Sequence, residues 1–158
     1  MKLDESKIID IECDHVRTKE AKKITYKGLE IYAVKRSIDI SDTECAFLYR
    51  SNINTAWWCG YVEVPLDMYG LLKPGGYLNE KILYDELDDL DKYGLTYVHG
   101  GYTYIDYGIP RALNDDQRLF LGWDYNHWPD TEDCVTYQEI LEEGMKVIDS
   151  MLAPKSTG

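Results

Sequence analysis

Short apolar runs separated by turn residues recur along most of the chain, and this pattern predicts β-strands. Runs rich in β-branched and aromatic residues are typical of strands. They lie at 7–13, 29–36, 44–50, 55–64, 95–108 and 118–123. Lys27-Gly28 is a turn signal before the second run, and Pro65 ends the fourth because proline has no N–H to donate to a neighbouring strand. The pattern therefore predicts a protein built mainly on a β-sheet.

Two segments have helical periodicity instead. In residues 79–94, leucines fall on one face and carboxylates on the other, which indicates an acidic amphipathic helix. Residues 136–152 begin with the capping-box pair Thr136 and Glu139 and continue as an amphipathic stripe. Together with the strands, these helices predict an α+β fold. We expect an antiparallel sheet, flat or strongly curved, with the acidic helix and the C-terminal helix packed on it.

Composition narrows the class of protein. The 158 residues contain no internal repeat or linker-like tract, so we expect a single domain over 1–158. A net charge of -12 and a sequence pI near 4.6 argue against direct binding to nucleic acid or to an anionic membrane surface. The N-terminus lacks the apolar core of a signal peptide, and the four cysteines form no Cys-x-x-Cys pair. These features predict a cytoplasmic protein with reduced thiols.

The stretch GWDYNHWPD, residues 122–130, mixes aromatic rings with two carboxylates and a histidine. It predicts a loop that follows a strand, in which Asp124 orients the imidazole of His127 or of a more distant His99. Either histidine could then act as a general base, and Asp130 could hold Mg²⁺. No cofactor is required by this hypothesis. The alternative is a solvated loop edged by core aromatic residues.

A second candidate is His99-Gly100-Gly101, which falls inside the predicted strand at 95–108. The two glycines remove side-chain bulk, so a ligand or another strand can approach the backbone closely. The pair indicates either such a close approach or a bulge in the strand. The histidine is then either a ligand-binding or catalytic group or a half-buried histidine at a corner of the sheet.

Neighbouring residues could complete a nucleotide-binding pocket. Tyr102, Tyr104 and Trp123 could stack against a base, and Arg111 and Arg118 could meet phosphates. The alternative for the aromatic residues is packing on a sheet face, for which tyrosine has a high propensity. The sequence leaves both interpretations open.

Three segments, WWCGYVEVP, YVHGGYTY and FLGWDYNHWPD, followed by the last helix, resemble a family of small phage- and prophage-encoded proteins. The shared motifs are CGYVxxP, VHGGxT and an aromatic-Gly-aromatic-Asp-x-x-His-x-x-Asp segment, and the resemblance covers roughly residues 57–152. This chain has LDMYG at 66–70 where the family has a polar Gly-His-Pro stretch. The positions that match are Cys59, Gly60, Tyr61, His99, Gly100, Gly101, Thr103, Asp124, His127 and Asp130.

The resemblance implies a counter-defence protein that acts in the host-cell cytoplasm, and it leaves several functions open. One is a protein that sequesters or cleaves a small nucleotide-like immune signalling molecule, with a homo-oligomer as one possible assembly. The alternative is an acidic protein–protein inhibitor, a nucleic-acid mimic of the anti-CRISPR kind, that blocks a basic host defence effector. Its acidic face would be the row of carboxylates in 79–94, unless that row is only a solvated helix face. A third possibility is an accessory virion protein without a binding site.

Overall fold

The computed structural model describes residues 3–13, 17–37, 56–69, 76–77, 95–96, 98–99, 101–109, 117–125 and 134–153. In this part of the chain seven antiparallel strands form a single sheet, and their spatial order is β1-β2-β3-β4-β7-β6-β5. The strands are β1 (Ile9–Ile11), β2 (Thr18–Tyr26), β3 (Leu29–Ser37), β4 (Ala56–Glu63), β5 (Gly76–Tyr77), β6 (Tyr102–Tyr107) and β7 (Leu119–Asp124). Short 3-10 turns lie at Glu5–Lys7 and Leu66–Met68, and the helix α1 spans Tyr137–Leu152.

This architecture confirms the predicted α+β fold with an antiparallel sheet and a C-terminal helix. The predicted acidic helix at 79–94 and the predicted strand at 44–50 lie outside the described residues. No helix in the described part of the chain is both long enough and apolar enough to span a membrane.

The hairpin of β2 and β3 contains a strand that the sequence analysis did not predict. Its turn is encoded locally, because Lys27 and Gly28 both have positive φ (51° and 81°), as a two-residue hairpin turn requires. β2 itself, TKEAKKITY, is rich in charged residues. Of its side chains only Thr18, Ala21 and Ile24 are buried, so its apolar signal is weak.

The segment before β6 corrects another expectation. Residues 95–108 were expected to form one strand, but β6 begins only at Tyr102. Before it, the Gly101 N–H donates to the Val98 carbonyl (3.0 Å), and Gly101 has a φ of 81°, so the chain turns there. The irregularity in the ladder lies after the glycines, between Tyr102 and Tyr104.

Helix α1 begins as the sequence predicts. The Thr136 side chain accepts the Glu139 N–H (3.2 Å), and the Glu139 carboxylate accepts the Thr136 N–H (3.3 Å), which completes the capping box. The helix packs on β2, β3 and β4. Gly144 allows close contact, because a Cβ there would lie 2.4 Å from Cγ2 of Ile31.

The sheet thus has two different faces. The helix face packs against α1, and its core includes Ile31, Val62, Leu121, Trp123, Tyr125, Ile140 and Ile148. The second face, on the other side of the sheet, carries a buried cluster that includes Tyr32, Val34, Tyr61, Tyr104 and Phe120. Alternate residues of each strand supply the two clusters, as the period of a strand requires.

Two glycines of the sheet, Gly60 and Gly122, have a packing reason. Gly60 of β4 is paired with Trp123 of β7, and Tyr61 is paired with Gly122. A Cβ on Gly60 would lie 2.4 Å from the Trp123 ring, and one on Gly122 would lie 2.7 Å from the Tyr61 ring. Each aromatic ring therefore covers the glycine of the neighbouring strand, one pair on each face of the sheet.

Candidate functional site

The residues predicted to form a site are only partly covered by the structure. Gly100, Arg111, His127 and Asp130 lie outside the described residues. The predicted general base His127 and the predicted magnesium ligand Asp130 therefore remain predictions. Among the described residues, no group of three His, Cys, Asp or Glu side chains is arranged to hold a metal ion.

The three predicted stacking rings lie in the core. Tyr102, Tyr104 and Trp123 are 1%, 5% and 1% exposed. The irregularity between the two tyrosines turns them to opposite faces, so that Tyr102 packs on the helix face and Tyr104 on the second face. The structure therefore gives these rings the packing role that the sequence left as the alternative.

Their polar atoms are bonded inside the protein. The Tyr102 hydroxyl donates to the Thr96 carbonyl (2.6 Å), and the Tyr104 hydroxyl donates to the Gly108 carbonyl (2.8 Å). Burial, followed by the negative charge of Glu143, raises the pKa of Tyr102 well above its usual range. This hydroxyl therefore remains a neutral donor throughout the physiological pH range.

Asp124 and His99 lie on opposite sides of the sheet. The Asp124 carboxylate accepts the Thr103 hydroxyl (3.1 Å), and in the ladder Asp124 is paired with Cys59, whose side chain belongs to the second face. His99 instead stacks on Tyr125, a residue of the helix face. The predicted role of Asp124 in orienting the His99 imidazole is corrected by this geometry, because the sheet separates the two side chains.

Arg118 belongs to a charged cluster on the second face, formed with Lys23, Glu30, Glu63 and Tyr32. The two terminal nitrogens of the Arg118 guanidinium lie 2.9 Å from Glu63 and 3.3 Å from Glu30. Lys23 lies 3.5 Å from Glu30, and the Tyr32 hydroxyl donates to the same carboxylate. Arg118, a possible phosphate contact in the sequence analysis, therefore bridges two carboxylates.

The pKa of Glu30 reflects the charge balance of this cluster. Burial alone would raise the pKa of its carboxyl, but hydrogen bonds from Tyr32 and Arg118 and the charges of Arg118 and Lys23 outweigh it. The net effect lowers the pKa of Glu30 below its ordinary value. Such a compensated cluster connects neighbouring strands and leaves little charge to attract a ligand.

A groove between α1, its preceding turn and the chain near His99 is the best candidate site among the described residues. Its volume is about 470 Å³. The described residues that line it are His99, Tyr125, Cys134, Val135, Glu139, Glu142, Glu143 and Lys146. The four charged members on α1 follow one another at intervals of three, one and three residues, so they share one face of the helix.

Glu143 holds the groove together. One of its carboxylate oxygens accepts the His99 backbone N–H (2.8 Å), and the other accepts the Tyr125 hydroxyl. The Tyr125 hydroxyl also accepts the Trp123 indole N–H (3.1 Å). Burial and the hydrogen bond to Glu143 raise the pKa of Tyr125 well above its usual range, so this hydroxyl remains a donor. A hydrogen-bonded chain thus joins β7, α1 and the segment that carries His99.

The described lining of the groove is net negative, with three carboxylates against the single ammonium of Lys146. Glu139 and Glu142 are exposed, so their charge faces solvent at the mouth of the groove. This arrangement suits a cationic ligand and disfavours a phosphate, which would meet like charge.

Sequence reasoning identified His99 but not the rest of the groove. The spacing of Glu139, Glu142 and Glu143 is visible in the sequence, yet acidic residues on the outer face of an amphipathic helix are usually only solvated. What distinguishes Glu143 is its contact with His99, which is 44 positions away in the chain.

Comparison of this chain with protein-family models, with curated proteins and with solved structures finds no match in any of the three. The resemblance to the phage-encoded family therefore stays a prediction.

Proposed function

We propose that the protein is an acidic protein–protein inhibitor that binds a basic surface of its partner through the groove. The observation that carries this proposal is the described lining of the groove, in which Glu139, Glu142 and Glu143 outnumber the one described cation, Lys146. The overall charge of -12 supports it, because a strongly acidic protein associates rapidly with a basic surface. The proposed partner is a basic host defence effector that binds nucleic acid.

The hypothesis of a nucleotide-like ligand has weaker support from the described residues. In the groove a phosphate would meet three carboxylates. The rings expected to stack on a base are buried, and Arg118 is bridged by Glu30 and Glu63. That hypothesis now depends on His127, Asp130 and Arg111.

A displacement assay tests the proposal. Purified defence nucleases with basic nucleic-acid sites are bound to fluorescently labelled DNA, and this protein is titrated against each complex. We expect DNA to be released from at least one effector, and the release to weaken as salt is raised. The double variant Glu139→Gln/Glu142→Gln should inhibit at least several-fold less well, since glutamine keeps the capping box but removes the charge.

The matched control is Glu12→Gln/Asp67→Asn, which removes two charges from exposed positions outside the groove. It should inhibit almost as well as the wild type. No inhibition across the panel, or equal inhibition by both double variants, would contradict the proposal. In parallel, cyclic dinucleotides are incubated with the protein and recovered after denaturation. Retained nucleotide would favour sequestration, and a new product would favour cleavage.

A further inference from the structure

We propose that the groove takes an arginine side chain of the partner, and that it takes arginine in preference to lysine. This inference rests on the proposed function, because it names the side chain through which a basic partner is held. It is carried by the geometry of the aromatic wall as well as by the charge of the groove.

The wall is the stacked pair of His99 and Tyr125. Their ring centroids lie 4.7 Å apart, and the ring planes differ by only 15°. His99 is exposed, whereas Tyr125 is buried, so the imidazole is the ring at the surface of the groove. A planar guanidinium stacks on such a flat ring, whereas a tetrahedral ammonium cannot.

The wall is held in place before a ligand arrives. The His99 N–H is bonded to Glu143, and the Tyr125 hydroxyl is bonded to both Glu143 and Trp123. The turn that ends at Gly101 gives the segment further support. Binding therefore needs little ordering of these groups, which reduces the entropic cost of association.

The carboxylates complete the arginine site. Glu142 is exposed at the groove, and Glu139 uses a single oxygen, Oε1, for the capping box. A guanidinium presents several N–H donors in a fixed fork that can reach carboxylates while its plane stacks on a ring. A volume of about 470 Å³ is in the range of sites for small ligands, so one long side chain fits.

Nuclear magnetic resonance titration of the full chain tests this inference with two probes of equal charge, N-acetyl-arginine amide and N-acetyl-lysine amide. We expect the arginine probe to shift the His99 and Tyr125 ring signals and to bind about two- to fivefold more tightly than the lysine probe. The probes are weak ligands, and the ratio of their affinities is the measured quantity.

Variants separate the aromatic wall from the charge. His99→Ala should bring the two affinities together, and His99→Phe should restore the preference for arginine because it restores a flat ring. Glu142→Gln should weaken both probes by a similar factor of about two to five. Asp67→Asn, a charge removal outside the groove, should change neither affinity.

Cys134 provides an independent measurement, because its exposed thiol lines the groove. Alkylation with N-ethylmaleimide should fill the groove and abolish the ring shifts. In Cys134→Ser the same treatment should leave arginine binding intact.

Equal affinity for both probes, or arginine shifts located away from His99 and Tyr125, overturns this inference. Neither result contradicts the proposed function, which is decided by the displacement assay. An inhibitor that releases DNA but does not prefer arginine would bind its partner by charge alone. A preference for arginine without any inhibition would support the arginine site but contradict the proposed function.

Discussion

The charged cluster around Arg118 and the groove beside α1 both place glutamates next to aromatic rings, but they differ in how the negative charge is balanced. In the cluster, Glu30 and Glu63 share Arg118, and Lys23 lies beside Glu30. Among the described residues of the groove, three glutamates lie near a single lysine. The comparison suggests that a compensated cluster serves stability, whereas an uncompensated one is available to a partner.

The glutamates of the charged cluster are also more buried than Glu142 of the groove. The side chains of Glu30 and Glu63 are 19% and 15% exposed, so removal of their cation would leave charge in a partly desolvated place. Glu142 is exposed, and loss of its charge alters the field in the groove more than the stability of the fold. Variants in the charged cluster should therefore mainly lower stability, whereas variants in the groove should mainly weaken binding.

The largest effect on stability is expected for Arg118→Met. This change keeps an apolar stem near Phe120 but leaves Glu30 and Glu63 without their bridging cation. The free energy of unfolding should fall by about 2 kcal/mol, measured by urea denaturation. The stability of Arg118→Lys should lie between those of the wild type and Arg118→Met, because lysine keeps the positive charge but lacks the forked N–H donors of the guanidinium. If Arg118→Met is as stable as the wild type, the cluster does not stabilise the fold.

The second-largest loss of stability is expected for Glu143→Ala, which deletes the acceptor of the His99 N–H and the Tyr125 hydroxyl. We expect a loss of about 1–2 kcal/mol in the free energy of unfolding. Hydrogen exchange at the His99 amide should become faster at the same time. Glu142→Ala, on the same helix, is the control and should leave that exchange rate unchanged. Unaltered exchange in Glu143→Ala would show that Glu143 does not hold the His99 segment.

A smaller effect concerns pH. The pKa of Glu30 is lowered in the folded protein, so the unfolded chain binds its proton at a higher pH than the folded one does. The stabilisation from this group is therefore fully present above the ordinary glutamate pKa and is lost as pH falls through the lower folded value. Denaturation of wild type and Glu30→Gln should show a stability difference near pH 7 that shrinks near pH 3. A difference that stays constant would contradict this assignment.

The smallest change in stability is expected for Glu142→Gln, within about 0.5 kcal/mol of the wild type. This variant should nevertheless weaken binding of a basic partner, as described for the displacement and titration experiments. A stable variant with weaker binding would show that Glu142 serves binding, whereas Arg118 serves stability. A destabilised one would show that the groove's charges also serve the fold.

Much of the fold was predictable because its signals are local. The β-branched run ahead of Pro65 and the apolar run at 118–123 predicted β4 and β7, and Thr136 and Glu139 predicted the start of α1. β2 was missed because its charged residues hide a weak apolar pattern. The predicted strand at 95–108 was too long, since its composition does not reveal the turn at Gly101.

The site was less predictable. His99 was identified as a candidate, but it was placed in a strand and was joined to Asp124, which lies across the sheet. Tyr102 and Tyr104 were named as stacking rings of one possible pocket, whereas an irregularity in the ladder turns them to opposite faces. A shift of one position reverses the face of a strand residue, and sequence periodicity alone does not locate it.

The sequence by itself determined the α+β class, the acidic charge and the capped C-terminal helix, because these depend on composition and on residues a few positions apart. Only the tertiary structure decided that Glu143 meets His99 and Tyr125, and that Arg118 meets Glu30 and Glu63. These contacts join residues that are far apart in the chain, and they form because the register of the strands and the packing of α1 bring them together. The same packing distinguishes the compensated charges of one region from the exposed charges of the other.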